Sequence, residues 1–156
     1  MKKFLGVILA VLLLVGCGGS GSETATISSD DFVYSNGNGK LALNQEMDPD
    51  ALGEYTYSET ESCGYDGLDK IYTYSDCEVY TYPQNGKDYV LYIDLLDSAK
   101  TSKNIQIGST LDDIKSAYGE NYTEEGEYIV YQLDNQKLKF LMIDEKVVFI
   151  EYSYEG

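Results

Sequence analysis

Residues 70–95 read KIYTYSDCEVYTYPQNGKDYVLYIDL, and residues 127–154 read EYIVYQLDNQKLKFLMIDEKVVFIEYSY. In both stretches apolar and polar side chains alternate, which is typical of β-strands. Turn residues interrupt each stretch twice, at Ser75-Asp76 and Asn85-Gly86 in the first and at Asp134-Asn135 and Asp144-Glu145 in the second. Each stretch therefore predicts a three-stranded antiparallel meander, and the turns of the two meanders are 59 positions apart.

A shorter similarity precedes each meander. Residues 41–55 (LALNQEMDPDALGEY) match residues 105–122 (IQIGSTLDDIKSAYGENY), and each segment predicts a short strand that runs into a helix. Good helix signals mark the second copy, where Ser109 or Thr110 is the N-cap and Gly119 the stop. The first copy is weaker, because Pro49 fits only a first helical turn.

These patterns predict an α+β fold of two tandem repeats, each a helix followed by a three-stranded meander. The meanders are expected to form one joined antiparallel sheet with the helices on one face. Repeat 1 spans residues 31–97 and repeat 2 spans residues 98–156, and together they form one globular unit, 31–156. A further candidate hairpin, FVY and KLALN around SNGNG, leads into repeat 1.

Strict alternation assigns each strand residue to one face of the sheet. In repeat 2 the side chains that face the helices are apolar, whereas Lys137 and Lys139 face outward. In repeat 1 both faces are aromatic. The predicted inner side chains are Tyr72, Tyr74, Val79, Val90 and Tyr92 in repeat 1 and Ile129, Tyr131, Leu138, Phe140, Val147 and Phe149 in repeat 2. The predicted outer side chains of repeat 1 are Tyr80, Tyr82, Tyr89, Leu91 and Ile93.

Tyrosine favours interfaces because its ring offers rigid, amphipathic contact area. The chain has sixteen tyrosines and no tryptophan. Tyr80, Tyr82, Tyr89 and Leu91 are therefore the candidate binding surface. The alternative is that these tyrosines are only good strand formers with wet hydroxyl groups.

The first residues predict a lipoprotein signal peptide, residues 1–16. Lys2 and Lys3 precede the apolar run FLGVILAVLLLV, and Gly16 stands directly before Cys17. The apolar run is short for a membrane-spanning helix. Cys17 is thus the expected lipidation site, which carries acyl chains such as palmitate and anchors the protein outside the cytoplasmic membrane. The alternative is an ordinary signal peptide with a chance cysteine. Residues 17–30 are rich in Gly, Ser and Thr and predict a flexible tether.

Charge and cysteine content narrow the partners and the compartment. With 27 acidic residues, 11 lysines and a net charge of −16, the chain is not expected to bind nucleic acid. Once Cys17 is acylated, Cys63 and Cys77 are expected to form a disulfide in an oxidising compartment. Such a bond would contribute about 3 kcal/mol in the loop-entropy picture. Two free buried thiols are the alternative.

Four motifs lie along residues 32–152: S-C-x-x-x-G-x-D-K-x-Y-x-Y at 62–74, Y-T-Y-P at 80–83, I-x-I-G-S at 105–109 and Y-G at 118–119. With these motifs the chain resembles a family of small lipoproteins from clostridia and related Gram-positive bacteria. The repeated unit is also similar to the tandem fold of the β-lactamase inhibitory protein and of small outer-membrane assembly lipoproteins. This resemblance implies a binding or scaffolding module rather than an enzyme, with no residue role to carry over.

Catalysis is not expected, because the chain has no His and no Arg for a nucleophile–base arrangement or a guanidinium clamp. The acid pairs Asp66/Asp69 and Asp112/Asp113 also fit loops and helix N-termini. No cofactor is expected. A calcium site at Asp48, Asp50 and Glu54 is a weak alternative, because the segment lacks the central Gly and the regular ligands of an EF-hand loop. The sequence therefore predicts a non-catalytic, inhibitor-like protein-binding module with an unknown extracytoplasmic protein partner. The alternative is a calcium-dependent surface or adhesion protein.

Overall fold

The computed structural model describes residues 25–62 and 67–156. Within them lie a short 3-10 helix, Ser29–Phe32, one α-helix, α1 (Leu111–Tyr118), and ten strands. The strands are β1 Val33–Ser35, β2 Lys40–Ala42, β3 Thr56–Glu61, β4 Leu68–Thr73, β5 Cys77–Gln84, β6 Lys87–Leu95, β7 Thr123–Glu125, β8 Tyr128–Leu133, β9 Gln136–Ile143 and β10 Lys146–Tyr154. The predicted first hairpin is β1–β2.

Eight strands form one antiparallel sheet in the order β3-β4-β5-β6-β10-β9-β8-β7. It consists of two meanders joined where β6 pairs with β10. β5 and β9 begin 59 positions apart and have the same length, and so do β6 and β10. The predicted meanders and their spacing are therefore found, and each gains a fourth strand, β3 or β7. At the Asn85-Gly86 turn both residues have positive φ, as a type I′ hairpin requires.

The predicted α+β fold with two helix-plus-meander repeats is wrong, because the described residues are mostly β and contain one α-helix. In repeat 1 the expected helix is replaced by turns closed by backbone bonds from Ala51 to Asp48 and from Gly53 to Asp50. The amide of Met47 is already bonded to the carbonyl of Asp88 in β6. Residues 48–55 separate that contact from β3, and Pro49 among them has no backbone N–H and fits only a first helical turn, so turns form there in place of a helix.

The helix of repeat 2 forms as its signals predict. Thr110 and Asp113 make a reciprocal capping box, with bonds of 2.8 Å from the Thr110 amide and 3.1 Å from the Asp113 amide. Gly119 ends the helix with φ of 89°. Ile114 and Tyr118 are buried on one side of α1, and the Tyr118 ring contacts Tyr131 and Phe140 of the sheet.

One face of the sheet, here called the inner face, packs against α1, the β1–β2 hairpin and the connecting segments. Its buried side chains include Val79, Val90 and Ile93 in the first meander. In the second meander they are Ile129, Tyr131, Leu138, Phe140, Val147, Ile150 and Tyr152. The opposite face, here called the outer face, carries the side chains that alternate with these along each strand.

Two β-bulges change the predicted face assignments. One lies in β6, where Tyr80 pairs with Tyr92 but Thr81 pairs with Val90, so that Leu91 is the extra residue. Beyond it the alternation is reversed: Ile93 is buried and Tyr92 is 36% exposed, opposite to the sequence prediction. The other bulge, in β10 after Val147, leaves Phe149 partly exposed and buries Ile150.

The folded part begins before residue 31. Ile27 packs against the core, and the 3-10 helix begins at Ser29, whereas the predicted tether runs to residue 30. Buried Asp31 anchors this segment through a 3.0 Å ion pair with Lys103. Residues 17–24, like the signal peptide and Cys17, lie outside the described residues. Among residues 25–62 and 67–156, no helix combines the length and apolarity needed to cross a membrane.

Candidate functional site

The predicted binding residues lie together on the outer face. Tyr80 and Tyr82 in β5 are paired across the sheet with Tyr92 and Tyr89 in β6. Leu91 is the bulged residue between them. α1 packs on the other face, so the helix does not cover these rings. Tyr80, Tyr82 and Tyr89 are partly exposed, and Lys139 and Lys137 lie on the same face in the second meander, as the spacing predicts.

Five rings in two neighbouring groups form what we call the tyrosine cluster: Tyr80 with Tyr92, and Tyr82 with Tyr89 and Tyr154. The Tyr80 and Tyr92 rings meet edge to face with centroids 6.4 Å apart. Tyr82 lies 5.9 Å from Tyr89 and stacks at 6.4 Å on Tyr154. These geometries are within the range of favourable aromatic pairs. The rings therefore support one another and are held before any partner arrives.

Hydrogen bonds fix two of the hydroxyl groups. The Tyr82 hydroxyl donates to Oδ1 of Asn44 at 2.5 Å, and Asn44 is itself held by a backbone bond to Val90. The Tyr80 hydroxyl donates to Oε2 of Glu78 at 3.1 Å. Partial burial and this bond to a carboxylate raise the pKa of Tyr80 to about 12, so the group remains a neutral donor at physiological pH.

Three carboxylates, here called the acidic row, lie beside the tyrosine cluster on three adjacent strands. Glu78 of β5 is opposite Asp94 of β6, and Asp94 is opposite Glu151 of β10. Directly opposed residues on one face have Cβ atoms about 5 Å apart. Lys139 of β9 is opposite Glu151 and bonds its Oε1 at 2.7 Å. Glu78 accepts from the hydroxyl of Thr73 at 3.2 Å.

Asp94, in the middle of the row, is the least compensated of the three. Its Oδ1 is buried and has no hydrogen-bond partner in the described part of the chain. Burial, followed by the charges of Glu151 and Glu78, raises the pKa of Asp94 from its ordinary value of 3.8 to about 7, against a smaller opposing effect of Lys139. The carboxyl group is therefore only partly ionised at neutral pH.

Sequence reasoning did not identify the acidic row or Tyr92. Strict alternation along β6 and β10 places Asp94 and Glu151 on the inner face, where an uncompensated charge is costly. An acid at a predicted inner position is the feature of the sequence that could have indicated a bulge, because one extra residue in the strand turns the acid outward and an apolar neighbour inward. The bulges at Leu91 and after Val147 do this.

The weak calcium alternative receives no support from the geometry. Among residues 25–62 and 67–156, no group of three or more acidic or cysteine side chains is arranged to hold a metal ion. Asp48 uses its Oδ1 to accept the backbone amide of Asp50 at 3.2 Å. Asp50 and Glu54 instead border a shallow depression with Gly53 and Tyr55. Of the acid pairs, Asp113 serves as a helix cap, and Asp66 lies outside the described residues.

The cysteine prediction is only partly visible. Within the described part of the chain Cys77 has no disulfide partner; its side chain is fully buried, which raises the pKa of the thiol, and Cys63 lies outside the described residues. The disulfide therefore stays a prediction.

A second set of tyrosines lies at the β3 edge of the sheet, on the inner-face side. Tyr55 is 39% exposed and Tyr57 is 46% exposed, and both rings contact Tyr72. Every residue of β3 is exposed, and Glu59 and Glu61 on this edge oppose pairing with another strand. These rings provide matched controls for the outer face.

A cavity of about 620 Å³ lies at one end of the second meander, between the N-terminus of α1 and two hairpin turns. Leu111, Ile129 and Met142 contribute apolar walls, and several acids surround its mouth. It contains none of the residues predicted for binding.

Comparisons of the chain with protein-family models, with curated proteins and with solved structures find no match. The resemblances to Gram-positive lipoproteins and to the β-lactamase inhibitory protein therefore stay predictions.

Proposed function

We propose that the protein is a lipid-anchored module on the outer side of the cytoplasmic membrane that binds another protein through the outer face of its sheet and performs no catalysis. The observation that carries the proposal is the tyrosine cluster, whose four rings from β5 and β6 lie on the sheet face opposite α1. The anchor rests on the sequence of residues 1–17, with Cys17 as the acylated residue.

The tyrosine cluster has the properties of an interface anchor. Its rings are partly exposed and preordered by ring contacts and hydrogen bonds, so the tyrosine side chains lose little conformational entropy when a partner binds. Tyrosine is among the residues that contribute most to binding energy when they lie at the centre of an interface. The negative charge of the acidic row beside the cluster would attract a positively charged partner and speed its association.

Catalysis is a poorer explanation of the same face. Opposed carboxylates with separated pKa values do occur in hydrolases. Here, however, the chain has no His or Arg to complete most catalytic arrangements. The Tyr92 ring beside the acidic row is 36% exposed, so the face is open to water.

Site-specific photo-cross-linking tests the proposal. The full chain is displayed on cells with a benzophenone amino acid in place of Tyr82 or, as a matched control, of Tyr57. We expect a defined cross-linked protein from position 82 and none from position 57. Equal yields of the same products at both positions, or none at position 82, would contradict the proposal.

The captured partner then allows an energetic test. Tyr80→Ala, Tyr82→Ala and Tyr89→Ala should each weaken binding by ~1–3 kcal/mol if the ring is an anchor, whereas Tyr57→Ala should leave the affinity unchanged. The affinities are measured by calorimetry with the full chain in non-ionic detergent. Unchanged affinity of the triple alanine variant would place the contact surface elsewhere.

A further inference from the structure

The acidic row has more negative charge than its surroundings neutralise. Glu78, Asp94 and Glu151 come from three adjacent strands and share the outer face, and Lys139 is opposite Glu151 in the cross-strand register. Lys139 bonds Glu151, and within residues 25–62 and 67–156 neither Glu78 nor Asp94 forms an ion pair. Directly opposed like charges destabilise a sheet, so the row is an unfavourable arrangement for the isolated domain.

Two buried oxygens, one in the row and one beside it, have no donor among the described residues. Ser153 is 1% exposed, and its Oγ has no hydrogen-bond partner in the described part of the chain. It lies on the outer face, two residues after Glu151 and opposite Tyr92. Oδ1 of Asp94, diagonally across the same pair of strands, is also buried without a partner. Buried polar atoms are normally satisfied, so both oxygens indicate that a donor-rich group belongs here.

Aromatic rings flank the same place. On the same face, the cross-strand pair next to Glu78 and Asp94 is formed by Tyr80 of β5 and Tyr92 of β6. Their edge-to-face contact leaves Tyr92 36% exposed. A cation within about 6 Å of a tyrosine ring is attracted by it. Carboxylates, an unpaired hydroxyl and aromatic rings thus meet on one part of the outer face.

We propose that this part of the outer face binds an arginine side chain of the protein partner. Glu78 and Asp94 would accept hydrogen bonds from the guanidinium group, and Tyr80 and Tyr92 would flank it. A side-chain movement on binding would open the buried Oδ1 of Asp94 and Oγ of Ser153 as acceptors. Arginine fits because it has five donors in a planar fork, bonds carboxylates in pairs and stacks on aromatic rings. The net charge of −16 favours a basic partner. The inference rests on the proposed function, since it names the partner chemistry of the same face.

Proton competition follows from this site. The pKa of Asp94, raised to about 7 by burial, Glu151 and Glu78 and partly offset by Lys139, falls when a guanidinium group binds. The side chains of Tyr80 and Tyr92 face the same place, and the Tyr80 hydroxyl, whose pKa is raised to about 12, is neutral in this range. Binding therefore releases a proton below about pH 7, and the affinity for arginine rises between pH 6 and pH 8.

The probe is N-acetyl-arginine amide, with N-acetyl-citrulline amide as its neutral isostere. Binding to the full chain in non-ionic detergent is followed by backbone NMR shifts. We expect saturable shifts around Asp94, Glu151 and Ser153, with citrulline at least about tenfold weaker. Asp94→Asn should weaken arginine binding about tenfold and remove its pH dependence. Asp134→Asn, which removes one charge from an exposed hairpin turn, should change neither.

Equal binding of arginine and citrulline, or an Asp94→Asn variant that binds arginine as the parent does, would overturn the inference. Its failure is separable from that of the proposed function. If position 82 cross-links a partner that Asp94→Asn still binds with parental affinity, the outer face is the interface but arginine is not its anchor.

Discussion

Replacing Asp94 with Asn should stabilise the protein in a pH-dependent way. The substitution removes the charge from the middle of the acidic row and keeps the shape of the side chain. Because the folded state raises the pKa of Asp94 from 3.8 to about 7, the folded protein holds this proton more tightly than the unfolded chain. Stability from this group is therefore present at low pH and is lost as the pH rises from about 4 through 7.

The size of the effect follows from the same pKa. A pKa of Asp94 that is about three higher in the folded than in the unfolded state corresponds to a free-energy difference of roughly 4 kcal/mol. Asp94 is only partly buried, and solvent screening reduces this to about 1–2 kcal/mol. We expect Asp94→Asn to exceed the parent in free energy of unfolding by about 1–2 kcal/mol at pH 8 and to equal it near pH 3.5.

Urea denaturation of both proteins across pH 3.5 to 8 measures the difference, and Asp134→Asn controls for the loss of one negative charge. A gain for Asp94→Asn that is the same at every pH would show that the effect is not ionisation. A loss of stability at pH 8 would show that the carboxylate is already well compensated, and the electrostatic description of the acidic row would be refuted.

Three further substitutions or labels test the fold. Thr110→Ala removes the helix cap and should lower the free energy of unfolding by ~1 kcal/mol in urea; no change would mean that the capping box contributes nothing. Ile150→Ala should cost ~2–5 kcal/mol because Ile150 is fully buried, whereas Val148→Ala, at a side chain 38% exposed, should cost under about 1 kcal/mol; a cost for Ile150→Ala as small as that for Val148→Ala, which unbroken alternation would give, would refute the bulge in β10. Cys77 should resist alkylation in the folded protein because its side chain is fully buried, and a thiol count by mass spectrometry in urea without reductant tests the predicted disulfide with Cys63, which a reactive Cys77 thiol would contradict.

The turns were the most predictable part of the fold. Asn85-Gly86 and Asp144-Glu145 form hairpins at the expected positions, and both residues of each turn have positive φ. The helix N-cap at Thr110 was equally readable, because a capping box is a local arrangement within four residues. Local chemistry determines these elements, so a single sequence suffices to find them.

The missing helix of repeat 1 depends on distant contacts. The segment around Met47 bonds the backbone of β6, about forty residues later in the chain. Such tertiary pairing overrides a weak helical pattern, and nothing within residues 41–55 indicates which strand will receive it. The pairing of β6 with β10 is also a long-range contact between the two meanders.

The bulges determined how much of the site could be predicted. Tyr80, Tyr82 and Tyr89 precede the bulge at Leu91, and their faces were assigned correctly. Tyr92 and Asp94 follow it, and alternation gave them the wrong face. A one-residue slip moves every later side chain to the other face, and the charges of Asp94 and Glu151 were the available warning.

The most direct test of the outer face as a contact surface is tyrosine footprinting of the full chain on intact cells. Nitration of each tyrosine is measured by mass spectrometry and compared with the same chain purified in non-ionic detergent. We predict that Tyr80, Tyr89 and Tyr92 are protected on cells, while Tyr55 and Tyr57 react equally in both samples. If the outer-face tyrosines react as fully on cells as in detergent, or if Tyr57 is the protected residue, the binding role of this face is contradicted.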